Sequence, residues 1–313
     1  MSTSDWASIL TAAVVAMLPL LLAAVGGLIS DRVGVFNFGI EGVMLVGAVV
    51  GFMAAFDYES PAIGILAGGV AGGLFTLILY ALPVVYLRAS PILMSFAIWF
   101  VGVGLSGQLG VGYTNQPLQN PIRTWDIPVL GDAPVIGPAL FQQAWPFYAS
   151  IVILVGVWWL LSRSRHGLNI RSLGEDPGAA YASGVPVQRL RVLYVTVGGA
   201  FMGVGGAILS IVIVQAWLSE MVAGRGFIAI ALVIVASWRP LALVWAGGIF
   251  GLMTALASFG QVRGWSVPSE MLSMTPYVLT VLALTVQAAI ARARGGGSPA
   301  PAALGAGFYR GQR

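Results

Sequence analysis

Three short stretches hold the side chains that could do chemistry. In the first, Ser30-Asp-Arg-Val-Gly-Val-Phe-Asn-Phe-Gly-Ile-Glu-Gly42, the carboxylate of Glu41 stands at the head of a long apolar run. An ionised group at the centre of a lipid-embedded helix costs about 2.5–3.5 kcal/mol, and less at the boundary. Glu41 therefore needs a partner or water. Asn37 and Gly39 predict an irregular helix start, since Asn bonds free backbone groups and Gly tolerates unusual dihedrals. Glu41 is then either a polar element of a gate near the inner mouth of a pathway, or a boundary cap paired with Arg32. The second stretch runs from Arg163 to Pro186 and contains Gly174-Glu-Asp-Pro-Gly-Ala-Ala-Tyr-Ala-Ser-Gly184. Asp176 suits an N-cap, Pro177 the first helical position and Gly184 the C′ position, with Ala179 and Ala180 favouring helix between them. These signals predict a two-turn helix about 10 Å long, flanked by Arg163, Arg165, Arg171, Arg189 and Arg191. Such a helix either docks into a groove on a partner or lies solvated at the headgroups. The third stretch, Gly224-Arg-Gly-Phe227, precedes an apolar segment, 226–238, that Arg239-Pro240 closes. Thirteen residues make about 20 Å of helix, short of a hydrocarbon core of about 30 Å, so this segment reads as an interrupted helix or one completed by its flanks.

Other chemistries lack their residues. There is no Cys and one His, His166, which removes thiol catalysis, disulfides and a His or Cys metal cluster. His166 reads as a loop surface residue. No Gly-x-Ser-x-Gly elbow appears, so neither a catalytic site nor a metal site is expected. The 15 basic residues are all Arg, scattered among spans rather than gathered on a soluble face, which argues against nucleic acid as a partner. A phosphate loop needs a Lys, and none exists. Polar residues that could face a pathway are Asn37, Glu41, Gln108, Gln215 and Gln261, with Phe96, Trp99 and Trp217 as stacking surfaces; each could equally serve helix packing.

The elements that must position these residues are membrane spans. Of 313 residues 58% are hydrophobic and 8% charged, with mean hydropathy +0.91, against about a quarter charged in soluble domains. Nine candidate spans follow at roughly 8–30, 39–56, 62–87, 91–112, 145–162, 190–216, 226–238, 241–260 and 272–291. Sorting arginines into alternate connections places twelve on one side and Arg123, Arg225 and Arg263 on the other. The positive-inside rule then puts the N-terminus outside and the C-terminus in the cytoplasm. The fold class expected is all-α, a polytopic bundle forming a single domain over 1–291. Within it, 113–144 is an outer, periplasmic loop, 163–191 a cytoplasmic loop, and 292–313 a disordered cytoplasmic tail. Glycines four apart, such as Gly47 and Gly51, Gly68 and Gly72, and Gly199 and Gly203, predict close helix packing.

At the three stretches the sequence resembles the permease subunits of bacterial ABC importers, in the branch for nucleosides and simple sugars such as ribose and galactose. "GVFNFGIEGVMLVGA" is similar to the family's Asn-Ile-Gly-hydrophobic-Glu-Gly segment, "LGEDPGAAYASGVPV" to its Gly-Glu-Asn-Pro-x-Ala-Ala…Gly-Ile loop, and "AGRGFIAIALVIVASWRPL" to its Gly-Arg-Gly-Phe-Ile-Ala segment with the following Trp-Arg-Pro. Asp176 and Phe38 replace the more usual Asn and Ile. The resemblance implies a permease of the bacterial inner membrane, with nucleosides favoured over sugars. It implies a second homologous permease, favoured as an unlike subunit, a cytoplasmic ATPase that uses ATP and Mg, and a periplasmic or lipid-anchored binding protein. No cofactor would be bound by this chain. Gly174, Glu175, Asp176, Pro177, Ala179, Ala180 and Gly184 would form the helix that couples to the ATPase. An ion-coupled secondary transporter is the competing class. It would need ionisable groups buried near mid-membrane, where the sequence places only Glu41, and that at an edge.

Overall fold

The computed structural model describes residues 2–125, 131, 135–293 and 299–306. Eleven helices carry the described fold: α1 (Thr3–Arg32), α2 (Ile40–Asp57), α3 (Pro61–Val85), α4 (Pro91–Leu109), α5 (Trp145–Arg163), α6 (Arg165–Glu175), α7 (Pro177–Ala182), α8 (Val187–Val214), α9 (Arg225–Val235), α10 (Pro240–Val262) and α11 (Ser269–Ala293). A π-helical stretch, Leu77–Ala81, interrupts α3, and another, Leu209–Val214, ends α8.

Among the described residues, eight helices are long and apolar enough to cross a membrane; α9, with 11 residues, is not. The sequence expectation of nine spans is corrected accordingly. Eight helices are candidate spans, and the segment read as the ninth is a half-helix of about 16 Å approached through the non-helical residues 215–224. One end of the bundle gathers Arg32, α6, α7, Trp238 and residues 301–306, while the other gathers Asp5 with Arg263, Asp57 with Tyr113, and Glu59 with Asn120. The N-terminus and residues 299–306 thus lie at opposite ends.

Close backbone approach holds the centre. A Cβ at Gly47 would overlap Gly203, one at Gly72 would meet Gly199 and Gly203, and one at Gly206 would overlap the Met44 carbonyl. Helices α2, α3 and α8 therefore touch backbone to backbone, which yields dispersion energy where lipid offers no hydrophobic drive. The Ser210 hydroxyl crosses this contact to donate to the Ala48 carbonyl at 2.9 Å. Helix α1 runs through the middle, buried from Leu18 to Asp31. The outward sides of α3 and α4 stay apolar and exposed, at Leu66, Val70, Leu74, Leu93 and Phe100. That surface suits lipid or another subunit.

The expected disordered tail differs in part. Residues 294–298 and 307–313 lie outside the described residues, but 299–306 packs against the arginine-rich end. The Ala303 N–H donates to the Gly174 carbonyl at 2.8 Å and the Gly305 N–H to the Gly34 carbonyl at 3.1 Å. Backbone bonds of this kind leave no compositional trace.

Candidate functional site

The chain between α1 and α2 turns back into the bundle. Gly34, at φ +81°, makes the turn, the Phe38 N–H donates to Ser95 Oγ at 2.9 Å, and the Tyr80 hydroxyl donates to the Phe36 carbonyl. The Gly39 N–H donates to Asn37 Oδ1 at 2.8 Å, the local Asx bond that lets a helix start without a preceding turn. Gly39 and Gly42 press on Ile98 and Trp99 of α4, where a Cβ would clash. The result is a helix start deep in the fold.

At that start Glu41 is 5% exposed. Its Oε1 accepts from the Gly224 N–H and its Oε2 from the Gly226 N–H, both at 2.7 Å. Glu41 therefore caps the N-terminus of α9, 183 residues away in sequence, where free N–H groups and the helix dipole favour an anion. The other end of α9 has the opposite complement. Arg32 donates through Nε and Nη2 to the Trp238 carbonyl at 3.0 and 2.6 Å, and Trp238 Nε1 donates to Asp31 Oδ2 at 2.8 Å. Gln287 Nε2 adds a bond to the Ile234 carbonyl at 2.8 Å. A broken helix buried without such partners would leave its termini unpaired.

This arrangement changes two expectations. Glu41 does not pair with Arg32, because the length of α9 separates them. Nor does Glu41 lie at an end of the bundle. It sits about 16 Å inward from Arg32 and about 24 Å from Asp57 by helix rise, close to mid-bundle. The sequence misplaced it because residues 33–39 re-enter the bundle rather than running along the surface.

Beside the junction stands a wall of rings from three elements. Phe38 contacts Phe96 and Phe227 at centroid distances of 6.2 and 5.8 Å. Trp99 stands edge-on to Phe227 at 5.1 Å and stacks on Phe100 at 4.9 Å. Phe96 and Phe100 are exposed on the outward side of α4. Asn37 is 2% exposed, and its Nδ2 has no partner among the described residues. Of the pathway residues read from sequence, the fold brings Asn37, Glu41, Phe96 and Trp99 together. Gln108 is exposed on α4 about 18 Å beyond Phe96. Gln215 and Trp217 lie apart at the opposite end. Gln215 is left-handed and exposed, its carbonyl accepting from the Leu118 N–H at 2.9 Å. Trp217, 1% exposed, wedges against Gly110, and its carbonyl accepts from the Asn115 N–H at 3.0 Å. Gln261 falls with Arg225, Thr254, Ser258 and Tyr277 around a cavity of about 260 Å³ beside α9. Phe38, Phe100 and Phe227 were not among the pathway candidates read from sequence, although Phe38 and Phe227 lie within its motifs.

The 163–191 connection forms two helices. Ser164 Oγ accepts from the Gly167 N–H at 3.0 Å and starts α6, which sequence reasoning missed. Its buried residues Gly167, Ile170, Leu173 and Gly174 recur at helical spacing, the signal that could have found it. Helix α7 begins and ends where its capping residues place it. Asp176 Oδ1 accepts from the Ala179 N–H at 2.9 Å, Pro177 follows, and Gly184 takes φ +83°. Ala180 and Gly174 are buried, the latter against the Arg32 carbonyl, so they hold the loop to the bundle. Glu175, Asp176, Ala179, Tyr181 and Gly184 are exposed, leaving a small-residue surface around one aromatic ring. Glu175 Oε2 accepts from the Ala302 N–H at 3.4 Å.

A profile of the family described as branched-chain amino acid transport system / permease component matches residues 8–284. The chain belongs to this permease family. The nucleoside ABC transporter permease protein NupC of Lactococcus lactis is 34% identical over 86% of this chain and 88% of its own. The guanosine ABC transporter permease protein NupQ of Bacillus subtilis is 33% identical over 97% of both chains. A provisionally named glucose ABC transporter permease, TsgC13 of Haloferax volcanii, is 37% identical over 83% of this chain and 79% of its own. The protein is thus a multi-pass membrane permease subunit of an ABC transporter, a transport component rather than an enzyme. Such permeases work with ATPase and substrate-binding partners.

Proposed function

We propose that this permease lines one half of the pathway of an ATP-driven importer of nucleosides in a bacterial inner membrane, with its N-terminus outside and the arginine-rich end in the cytoplasm. The observation that supports the substrate class is the wall of Phe38, Phe96, Trp99, Phe100 and Phe227 beside Asn37. Aromatic pairs contribute about 0.5–1.5 kcal/mol beyond area, enough to guide a nucleobase and too little to trap it. The unpartnered Asn37 Nδ2 is a donor available to a polar solute when the junction opens. The relatives' names point the same way.

On this reading, Glu175, Asp176, Pro177, Ala179 and Gly184 present the helix that enters a groove of the cytoplasmic ATPase, with Gly174 and Ala180 anchoring it. ATP and Mg are used by that partner. A second, unlike permease packs on the apolar outward side of α3 and faces the ring-bearing side of α4 across the pathway, and a periplasmic or lipid-anchored binding protein delivers the solute. A simple sugar is the second reading, favoured by the glucose permease relative. Uptake of labelled guanosine, uridine, ribose and glucose by the complete transporter decides between them. Nucleoside uptake that falls at least about fivefold in Phe96→Ala with Phe100→Ala, the loss of two such ring contacts, supports the proposal. Uptake of sugar alone, indifferent to those rings, overturns it.

A further inference from the structure

We infer that the arginine-rich end of the groove between α5 and α10 is a binding site for one anionic phospholipid. Two contiguous cavities form that groove. The upper one, about 560 Å³, is lined by Arg32, Arg171 and Arg239 together with Trp158, Ser162 and Trp245. The lower one, about 300 Å³, shares Trp158, Pro240 and Leu241 with the first and continues past Val155, Leu154 and Phe147 over Met17 of α1. Every named residue of the lower cavity is apolar. The groove extends about 16 Å down α5, from Trp158 to Phe147.

The chemistry selects the occupant. Three guanidinium groups on three elements converge on one cavity, and among the described residues no carboxylate lines it. Glu175 is the carboxylate whose charge reaches Arg32, against the two neighbouring cations Arg171 and Arg239. That leaves excess positive charge, and Arg forks match phosphate oxygens. A soluble phosphate would use the head of the site but has nothing for the apolar channel below it. A lipid fills both, with its phosphate on the arginines and an acyl chain between α5 and α10. Trp158 and Trp245 stand at the level between head and chain, where amphipathic rings prefer the membrane interface. Basic pockets between spanning helices on the cytoplasmic side are the general form of anionic headgroup sites. The position also has a consequence. Arg171 belongs to α6, while Arg32 holds the Trp238 carbonyl at the end of α9, so one headgroup would link the 163–191 loop to the broken helix.

The test is lipid retention. The complete transporter is held in nanodiscs of phosphatidylcholine with one-tenth phosphatidylglycerol, extracted in mild detergent, and its bound lipid is measured by native mass spectrometry. Each arginine near an anionic surface is worth about fivefold in affinity, so Arg171→Gln with Arg239→Gln is expected to lower phosphatidylglycerol retention about 25-fold. Leu241→Trp, which blocks the channel and leaves all three arginines, is expected to lower it as well. Equal retention of both lipids by the native protein overturns the proposal. So does retention unchanged in Leu241→Trp, or an arginine variant that sheds the ATPase while keeping phosphatidylglycerol, since those cations would then serve the partner protein.

Discussion

Glu41→Gln is the perturbation that bears most heavily on the broken-helix architecture. The native carboxylate accepts two N–H bonds at 2.7 Å, from Gly224 and Gly226. A glutamine keeps one acceptor oxygen and turns its amide N–H toward the other donor. A hydrogen bond to a charged group is worth about 1.5–3 kcal/mol, and an anion at a partly buried helix N-terminus up to about 2 kcal/mol. These are overlapping descriptions of one interaction, so a cost of about 2–3 kcal/mol is expected for releasing α9 from α2. At tenfold per 1.4 kcal/mol, the open population of the junction rises about 30- to 150-fold. The chain has no cysteine, so a single thiol reports cleanly. Ala229, fully buried on α9, is replaced by Cys, and its rate of modification by a small thiosulfonate is compared between transporters that keep Glu41 and otherwise identical ones that carry Glu41→Gln. Modification faster by the stated factor is expected in the variant. Equal rates would show instead that α9 is held by packing alone.

Further outcomes follow from other contacts. Gly206→Leu forces a side chain into the Met44 carbonyl and should cost at least the roughly 1–3 kcal/mol typical of overpacking, seen as lost monodisperse protein in size-exclusion chromatography. Gly104→Leu, where nothing lies within 4 Å, should leave that profile intact. Asp176→Ala removes the α7 cap, worth about 1 kcal/mol, and Gly184→Arg forces φ +83° on a bulky residue. The Asp176→Ala, Gly184→Arg double variant should insert normally but lose co-purifying ATPase, and undiminished association with undiminished uptake would remove α7 from coupling. Asn37→Leu should lower nucleoside uptake several-fold while leaving ATPase association unchanged; a variant with unaltered uptake would take Asn37 out of the pathway.

The spans were legible because about 20 apolar residues between charged boundaries have few alternatives in lipid. The caps of α7 were legible because Asp176, Pro177 and Gly184 act on their own neighbours. So was the shortness of α9, set by the distance from Gly224 to Arg239. The meeting of Glu41 with Gly224 and Gly226 was not, since it joins distant segments through backbone N–H groups that every residue but Pro possesses. Nor could composition tell that Trp217 wedges against Gly110 while Trp99 joins the wall, because a Trp reads alike in either place. Helix α6 went unread because its Arg, Asn and Ser content masked a four-residue buried stripe.

This permease is expected to move solute only when a separate ATPase drives it through α7. The most direct measurement is guanosine accumulation in proteoliposomes that carry the permease pair and binding protein, with and without the ATPase, in the presence of ATP and Mg. Accumulation that requires the ATPase, and that fails when α7 carries Gly184→Arg, is the expected result. Accumulation by the permease without the ATPase, driven by an imposed proton or sodium gradient, would contradict it.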